Sequence, residues 1–394
     1  MPLSWAWTDF SELSAPADSR HVAGARARRD RRLQSVPSVI ADPQSLARLA
    51  ASLESAHALA LDTEFLRSST YRAQLCLLQI AAAEQAVCVD PLGVDLMPLA
   101  PLLTASKALK VMHAARQDIE VMLPAVGMVA PLFDTQVAAA LVGMPAQIGY
   151  AELVRRVLGQ ELSKSHTRTD WSARPLSPAQ ISYALDDVRY LLPLHAHLAR
   201  ELERLGRSAW LQEELAQLSD RETYEARPAD AWRRVRGFAA LDTARQRLAR
   251  ELAAWRERRA IDRNRPRGWI LEDAALREIV LRAPRAIEEL ATIPGLPAGV
   301  VKHCGAEIVK IIRAAGLPDE LPRVNLRVRP EPARDALVRK LSAVHQAIAA
   351  ELALQPEVLA TRRDLERLAD GERELPVLRG WRRAIIGERL IAAL

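Results

Sequence analysis

Two carboxylates stand two residues apart inside an apolar run. Asp62 and Glu64 fall within Leu59-Ala60-Leu61-Asp62-Thr63-Glu64-Phe65-Leu66, a segment whose hydrophobicity reads as a buried strand. Ionised carboxylates are costly there unless a cation or partner compensates their lost hydration. Strand side chains alternate faces, so this pair projects from one side and can grip one metal ion. The spacing alone is common and fits a frayed strand end in water equally well. Three further positions add to it. Asp118 follows Leu109-Lys110-Val111-Met112 and His113-Ala114-Ala115-Arg116-Gln117, where a strand hands over to a helix. Tyr183 and Asp187 lie just beyond Ser177-Pro178-Ala179-Gln180. There Ser177 reads as an N-cap, Pro178 as the first helical residue and Gln180 as the partner in a capping box. Four apart on that helix, Tyr183 and Asp187 share a face, while Asp186 reads as a solvated neighbour.

The order Asp-x-Glu, Asp, Tyr-x-x-x-Asp resembles that of the DEDD 3′-to-5′ exonucleases, in the subgroup with tyrosine in the third motif. The flanking text is similar to ribonuclease D: Asp62-Thr63-Glu64-Phe65 through Thr70-Tyr71, then Leu75-Cys76-Leu77-Leu78-Gln79-Ile80. So are Lys164-Ser165 through Thr169-Asp170-Trp171, Arg174-Pro175-Leu176 and Tyr190-Leu191-Leu192-Pro193. The likeness runs from about residue 35 to the C-terminus.

That resemblance implies an α/β ribonuclease H-like domain, a mixed sheet with flanking helices and with Asp62 and Glu64 on its first strand. It also implies two divalent cations, Mg²⁺ or Mn²⁺, which favour hard oxygen ligands. Asp62, Glu64 and Asp187 would hold the ion that activates water. Asp62 would bridge to a second ion, held also by Asp118, and Tyr183 would orient the attacking water. In the histidine subgroup the third-motif residue would stand at Ser182. His195 and His197, two apart on a helix, face different directions and make no zinc pattern. Phe65 and Leu66 are candidates to stack on or wedge the last base of a strand. Lys164, Arg168 and Arg174 are candidates for phosphate contacts.

Around these residues the pattern reads as strands at about 57–65, 74–82 and 86–90, joined as an antiparallel meander. A further strand lies near 109–112, with helices from about 117, from 149 and from 178 to about 204. This domain spans 35–218. The polar stretch from Ser219 to Pro228 separates it from helical sequence in which Leu241, Ala244, Leu248, Leu252 and Trp255 repeat at helical spacing. Residues 229–316 are similar to the helicase-and-ribonuclease-D C-terminal (HRDC) module, an all-α bundle. After a Pro-rich joint, 333–394 read as a second, degenerate HRDC-like bundle. Residues 1–34 read as a disordered basic extension with neither a secretory nor a transit signal.

The chain of 394 residues carries a net charge of +6, unevenly spread. Residues 35–205 hold 14 Lys and Arg against 17 Asp and Glu, a net −3, whereas 206–394 hold 35 against 28, a net +7. An acidic segment suits a cation centre, and a basic one suits a polyanion. With every catalytic position before residue 205, the pattern suggests one part that cuts and a separable arm that holds. Cys76, Cys88 and Cys304 make no metal-spaced pair, pointing to buried thiols in a reduced cytosolic compartment. No apolar run reaches the ~18 residues of a membrane span. The expected activity is metal-dependent 3′-to-5′ trimming of RNA with a single-stranded 3′ end, tRNA precursors above all, by a monomer that releases 5′-mononucleotides. A DNA-directed exonuclease is the first rival and a catalytically dead nucleic-acid scaffold the second. No carboxylate is lost, which weighs against the scaffold.

Overall fold

The structure is a computed structural model that describes residues 39–83, 85–105, 107–162, 169–238, 241–316 and 332–394. The N-terminal extension lies outside the described residues. A six-stranded sheet forms the centre of the first domain. It comprises β1 (Val39–Ile40), β2 (Ala58–Leu66), β3 (Gln74–Ala82), β4 (Gln85–Val89), β5 (Leu109–Met112) and β6 (Leu132–Asp134), in the order β1-β4-β3-β2-β5-β6. The expected meander is present, since β3 pairs antiparallel with both β2 and β4. Strands β5 and β6 extend the sheet in parallel from β2, and β1 runs parallel to β4. With two and three residues, β1 and β6 are too short to leave a period in the sequence.

Helices cover both faces. Leu46 and Leu49 of α1 (Pro43–Leu53) and Ile119 and Met122 of α2 (Arg116–Val126) pack with Leu59, Leu61, Leu78 and Ile80. Behind the sheet lie α3 (Thr135–Leu141), α4 (Tyr150–Leu158), α5 (Pro178–Arg189), α6 (Leu191–Arg204) and α7 (Ser208–Leu218). There Val188, Leu191, Leu194 and Leu198 meet Ala60, Ala81, Val111 and Phe133. The helix expected from 178 to about 204 is two helices. Pro193 has no N–H to continue the ladder, and the Tyr150 hydroxyl enters the break, donating to the Asp186 carbonyl at 3.0 Å and accepting the Tyr190 N–H at 3.2 Å.

Residues 231–315 form a bundle with its own core, built on α8 (Thr243–Asp262), α9 (Asp273–Arg282) and α10 (Ala298–Ala314). Leu248, Leu252 and Trp255 are buried at the spacing expected of them. The bundle meets the first domain through the loop between β2 and β3. Tyr71 donates its hydroxyl to the fully buried Glu257 at 2.5 Å, and Glu257 also pairs with Arg267 and Arg234. Asn264 accepts the Tyr71 N–H at 3.1 Å.

The last unit starts with α11 (Pro332–Glu351) and, contrary to the expectation of a separable arm, has no core apart from the nuclease layer. Leu341, Ile348, Leu359, Leu368, Trp381 and Leu390 lie in one cluster with Leu141, Leu153, Leu198 and Leu211. The Trp381 indole stacks on Trp210, with centroids 4.5 Å apart and planes 8° from parallel. Its backbone and ring N–H groups donate to Glu213 and Glu214, each at 2.8 Å. Arg207 ties the units further, donating to the carbonyls of Leu141 at 2.8 Å and Leu352 at 2.6 Å. All three cysteines are buried and free. Among the described residues no helix is long and apolar enough to cross a membrane.

Removing the stacked indole leaves a cavity at this seam. Trp381→Ala is expected to cost about 3–5 kcal/mol, read as a lower midpoint in denaturant unfolding. An unchanged midpoint would mean that the last unit is docked only loosely.

Candidate active site

Alternation along β2 puts Asp62 and Glu64 on the face covered by α5 and α6, and Thr63 on the other. A β-bulge falls between Glu64 and Phe65, where β3 supplies Cys76 as the extra residue. Bulges of this kind bend a strand and re-aim side chains beside active sites. Helix α5 begins with the expected capping box: the Gln180 N–H donates to Ser177 Oγ at 3.3 Å, and the Ser177 N–H to Gln180 Oε1 at 2.8 Å. From that start α5 packs across β2, β3 and β4. Asp187 is thereby delivered to the two strand carboxylates. Carboxylate oxygens of Asp62, Glu64 and Asp187 all lie within 4.8 Å of one another.

Asp118 is buried in the first turn of α2 and accepts a 2.5 Å hydrogen bond from the Thr63 hydroxyl. It stands outside the three-carboxylate cluster, yet its charge acts on both Asp62 and Glu64. The turn that presents it is held by Asp134, a residue whose role no sequence signal marked. The Asp134 carboxylate accepts the N–H groups of Ala114 (3.1 Å), Ala115 (2.8 Å), Gln136 (2.8 Å) and Val137 (3.2 Å). It thus caps α3 and also clamps Ala114, which has a positive φ of 56°.

Crowding sets the electrostatics. Burial, then the charges of Asp118, Asp187 and Glu64, hold the Asp62 carboxyl well above the usual carboxylate range. Burial followed by Asp187 and Asp118 pushes Glu64 up to about 8. Burial lifts Asp118 to about 7 against the opposing Thr63 hydrogen bond, and burial with Asp186 lifts Asp187 to about 7. Asp186, expected to be solvated, is half-buried and pairs with Arg189 at 2.7 Å. The Tyr183 ring packs on Trp171 with centroids 6.2 Å apart, and burial beside Asp187, Glu64 and Asp62 pushes its phenol up to about 12. At neutral pH that hydroxyl is a donor, not an anion. An all-oxygen, half-buried and mutually repelling donor set fits a hard divalent cation, whose charge offsets what the carboxylates cannot offset for each other.

Other candidates fall elsewhere. Arg174, expected as a phosphate contact, is a structural strut. Its five donors reach both Asp90 oxygens at 2.7 Å and the carbonyls of Trp171, Ala173 and Cys76, so none is left for a ligand. Leu66 packs with Leu77, Cys88 and Trp171. Phe65 is half-buried, with the Arg67 guanidinium 5.8 Å from its ring centroid. Lys164 and Arg168 lie outside the described residues. Ser182 is exposed. His195 packs edge-on against Phe133, and His113 bonds Thr135 and the Ile148 carbonyl.

A family model described as 3'-5' exonuclease matches residues 37–203, and one described as HRDC domain matches 242–312. Ribonuclease D of Nitrobacter hamburgensis is 40% identical, the match covering 90% of this chain and 94% of that one. Ribonuclease D of Gluconacetobacter diazotrophicus is 41% identical over 90% and 92%. The chain belongs to the ribonuclease D family. The crystal structure of Escherichia coli RNase D, described as an exoribonuclease involved in structured RNA processing, superposes with a TM-score of 0.81 at 31% identity. That match covers 91% of this chain and 98% of that one. As a member of the ribonuclease D family, the chain is a 3′-to-5′ exoribonuclease.

Two outcomes follow for this candidate site. Asp62→Asn, Glu64→Gln, Asp118→Asn or Asp187→Asn should each lower kcat by about 10²–10³-fold or more, while thermal unfolding of the cation-free protein at pH 8 moves up, because a buried like charge is gone. Near-normal turnover in any variant would remove that residue from the site. The second outcome is a pH dependence. Glu64, Asp118 and Asp187 titrate above their unfolded values, so their contribution to folding is complete at acid pH and is lost as pH rises through about 7 to 8. Divalent cation should therefore raise the melting temperature more at pH 8 than at pH 6. A rise independent of pH would place the bound ion away from these carboxylates.

Proposed function

We propose that this protein trims single-stranded 3′ ends of structured RNA precursors such as tRNA, one nucleotide at a time, with Mg²⁺ or Mn²⁺ and release of 5′-mononucleotides. The observation that carries this reading is the convergence of Asp62, Glu64 and Asp187 oxygens within 4.8 Å. Two divalent cations in such a site stabilise the attacking and the leaving oxygen of an in-line displacement. Asp62, Glu64 and Asp187 would hold one, and Asp62 with Asp118 the other. Tyr183, neutral and braced by Trp171, donates a hydrogen bond that orients the attacking water.

The bundle after residue 230 supports RNA as substrate through its charge. Residues 231–316 hold 18 Lys and Arg against 10 Asp and Glu. They carry Trp269, 61% exposed with Arg265 over its ring at 5.5 Å, a pairing suited to stacking on an unpaired base. Residues 333–394 act as a degenerate second HRDC-like unit. Both units run a 20-residue helix, a four-residue helix and then a shorter amphipathic one, here Asp273–Arg282 and Arg362–Ala369. A monomer acting in the cytoplasm completes the reading.

The test is digestion of a 3′-extended tRNA and a matched DNA strand with Mg²⁺, Mn²⁺ or EDTA. One-nucleotide ladders on RNA alone, abolished by EDTA, are expected; equal degradation of the DNA would overturn the substrate assignment. Tyr183→Phe should lower kcat by roughly tenfold or more at nearly constant RNA affinity. Equal loss of affinity would assign the hydroxyl to substrate holding.

A further inference from the structure

One fully buried polar side chain beside the carboxylates has no partner among the described residues. Gln79, on β3, is 0% exposed, and neither its Nε2 nor its Oε1 makes a hydrogen bond to any of them. A carboxamide so placed is costly to fold around unless a partner arrives later. Its position names the partner. In the β2–β3 register Gln79 is directly opposite Asp62, and in the β3–β4 register directly opposite Cys88. Directly opposed residues share a face of the sheet, so Asp62, Gln79 and Cys88 form one row under α5. Cys88 lies close enough to Glu64 to feel its charge, which fixes that row against the acidic cluster.

We propose that Gln79 is a positioning residue of the cation site, a role that rests on reading Asp62, Glu64 and Asp187 as that site. Its Nε2 donates to the Asp62 carboxylate and its Oε1 accepts from water bound in the cluster when the cation is present. An amide suits this place because it supplies a donor and an acceptor without adding a charge. A carboxylate there would add to the repulsion, and an aliphatic side chain would leave Asp62 free to turn. Groups that orient ligands in this way affect metal affinity by about 10–100-fold.

The experiment is calorimetric titration of the full chain with Mn²⁺, together with its melting temperature in EDTA, for wild type, Asp187→Asn and Gln79→Leu. Gln79→Met serves as a second isosteric probe should the leucine variant fail to fold. Both Gln79 variants are expected to weaken Mn²⁺ binding about 10–100-fold, while the melting temperature in EDTA holds or rises because an unpaired amide has been replaced by an apolar group. A residue of merely structural importance would lower that temperature. Wild-type Mn²⁺ affinity in both Gln79 variants, with binding lost in Asp187→Asn, would overturn the role of Gln79 and leave the cation site standing. Undiminished binding in Asp187→Asn would overturn the cation site itself, and the role of Gln79 with it.

Discussion

Mutual repulsion among half-buried carboxylates is the constraint to which the rest of this fold answers. Asp62, Glu64 and Asp187 crowd one small volume, with Asp118 near enough to add its charge. Left to itself such a group would spread until water screened it. It is prevented from spreading because each member is anchored to a different rigid element. The strand between its two antiparallel and parallel partners holds the first pair, the capped start of α5 holds the third, and the Asp134 clamp with the Thr63 hydroxyl holds the fourth. Stability given up at the site is offset by sheet and helix packing elsewhere, which makes the centre receptive to cations before any substrate arrives.

Legibility from sequence followed the range of the interactions. Asp62 with Glu64, and Tyr183 with Asp187, could be paired because strand and helix periods act over two and four residues, and the Ser177–Gln180 capping box fixed where the helix starts. Features that depend on distant partners were not legible. Arg174 looks like a free cation until Asp90 is seen beside it, 84 positions away in the chain. The break at Tyr190 is completed by a hydroxyl 40 residues upstream. The register that faces Gln79 toward Asp62 needs the bulge at Glu64 and Phe65, which no residue type announces.

The junction with the first helical bundle carries its own implication for how the parts communicate. Glu257 is fully buried, and its partners include Tyr71 from the loop that leaves β2. The charge of Glu257 is met inside the bundle by Arg234 and Arg267, and Tyr71 adds a charge-assisted hydrogen bond from the loop, stronger than a neutral one. That bond and the one from the Tyr71 N–H to Asn264 tie the β2–β3 loop to the bundle. RNA gripped by the bundle would lie next to the loop that follows the Asp62 and Glu64 strand.

The seam around Trp210 and Trp381 bears on how the chain is made. Leu141, Leu153, Leu198 and Leu211 finish their burial only against residues between 341 and 390, so the nuclease layer keeps an open apolar face until those residues have left the ribosome. A product of interrupted synthesis would present that face to chaperones and proteases. The cell would be spared a partial nuclease that cuts RNA without its accompanying bundles.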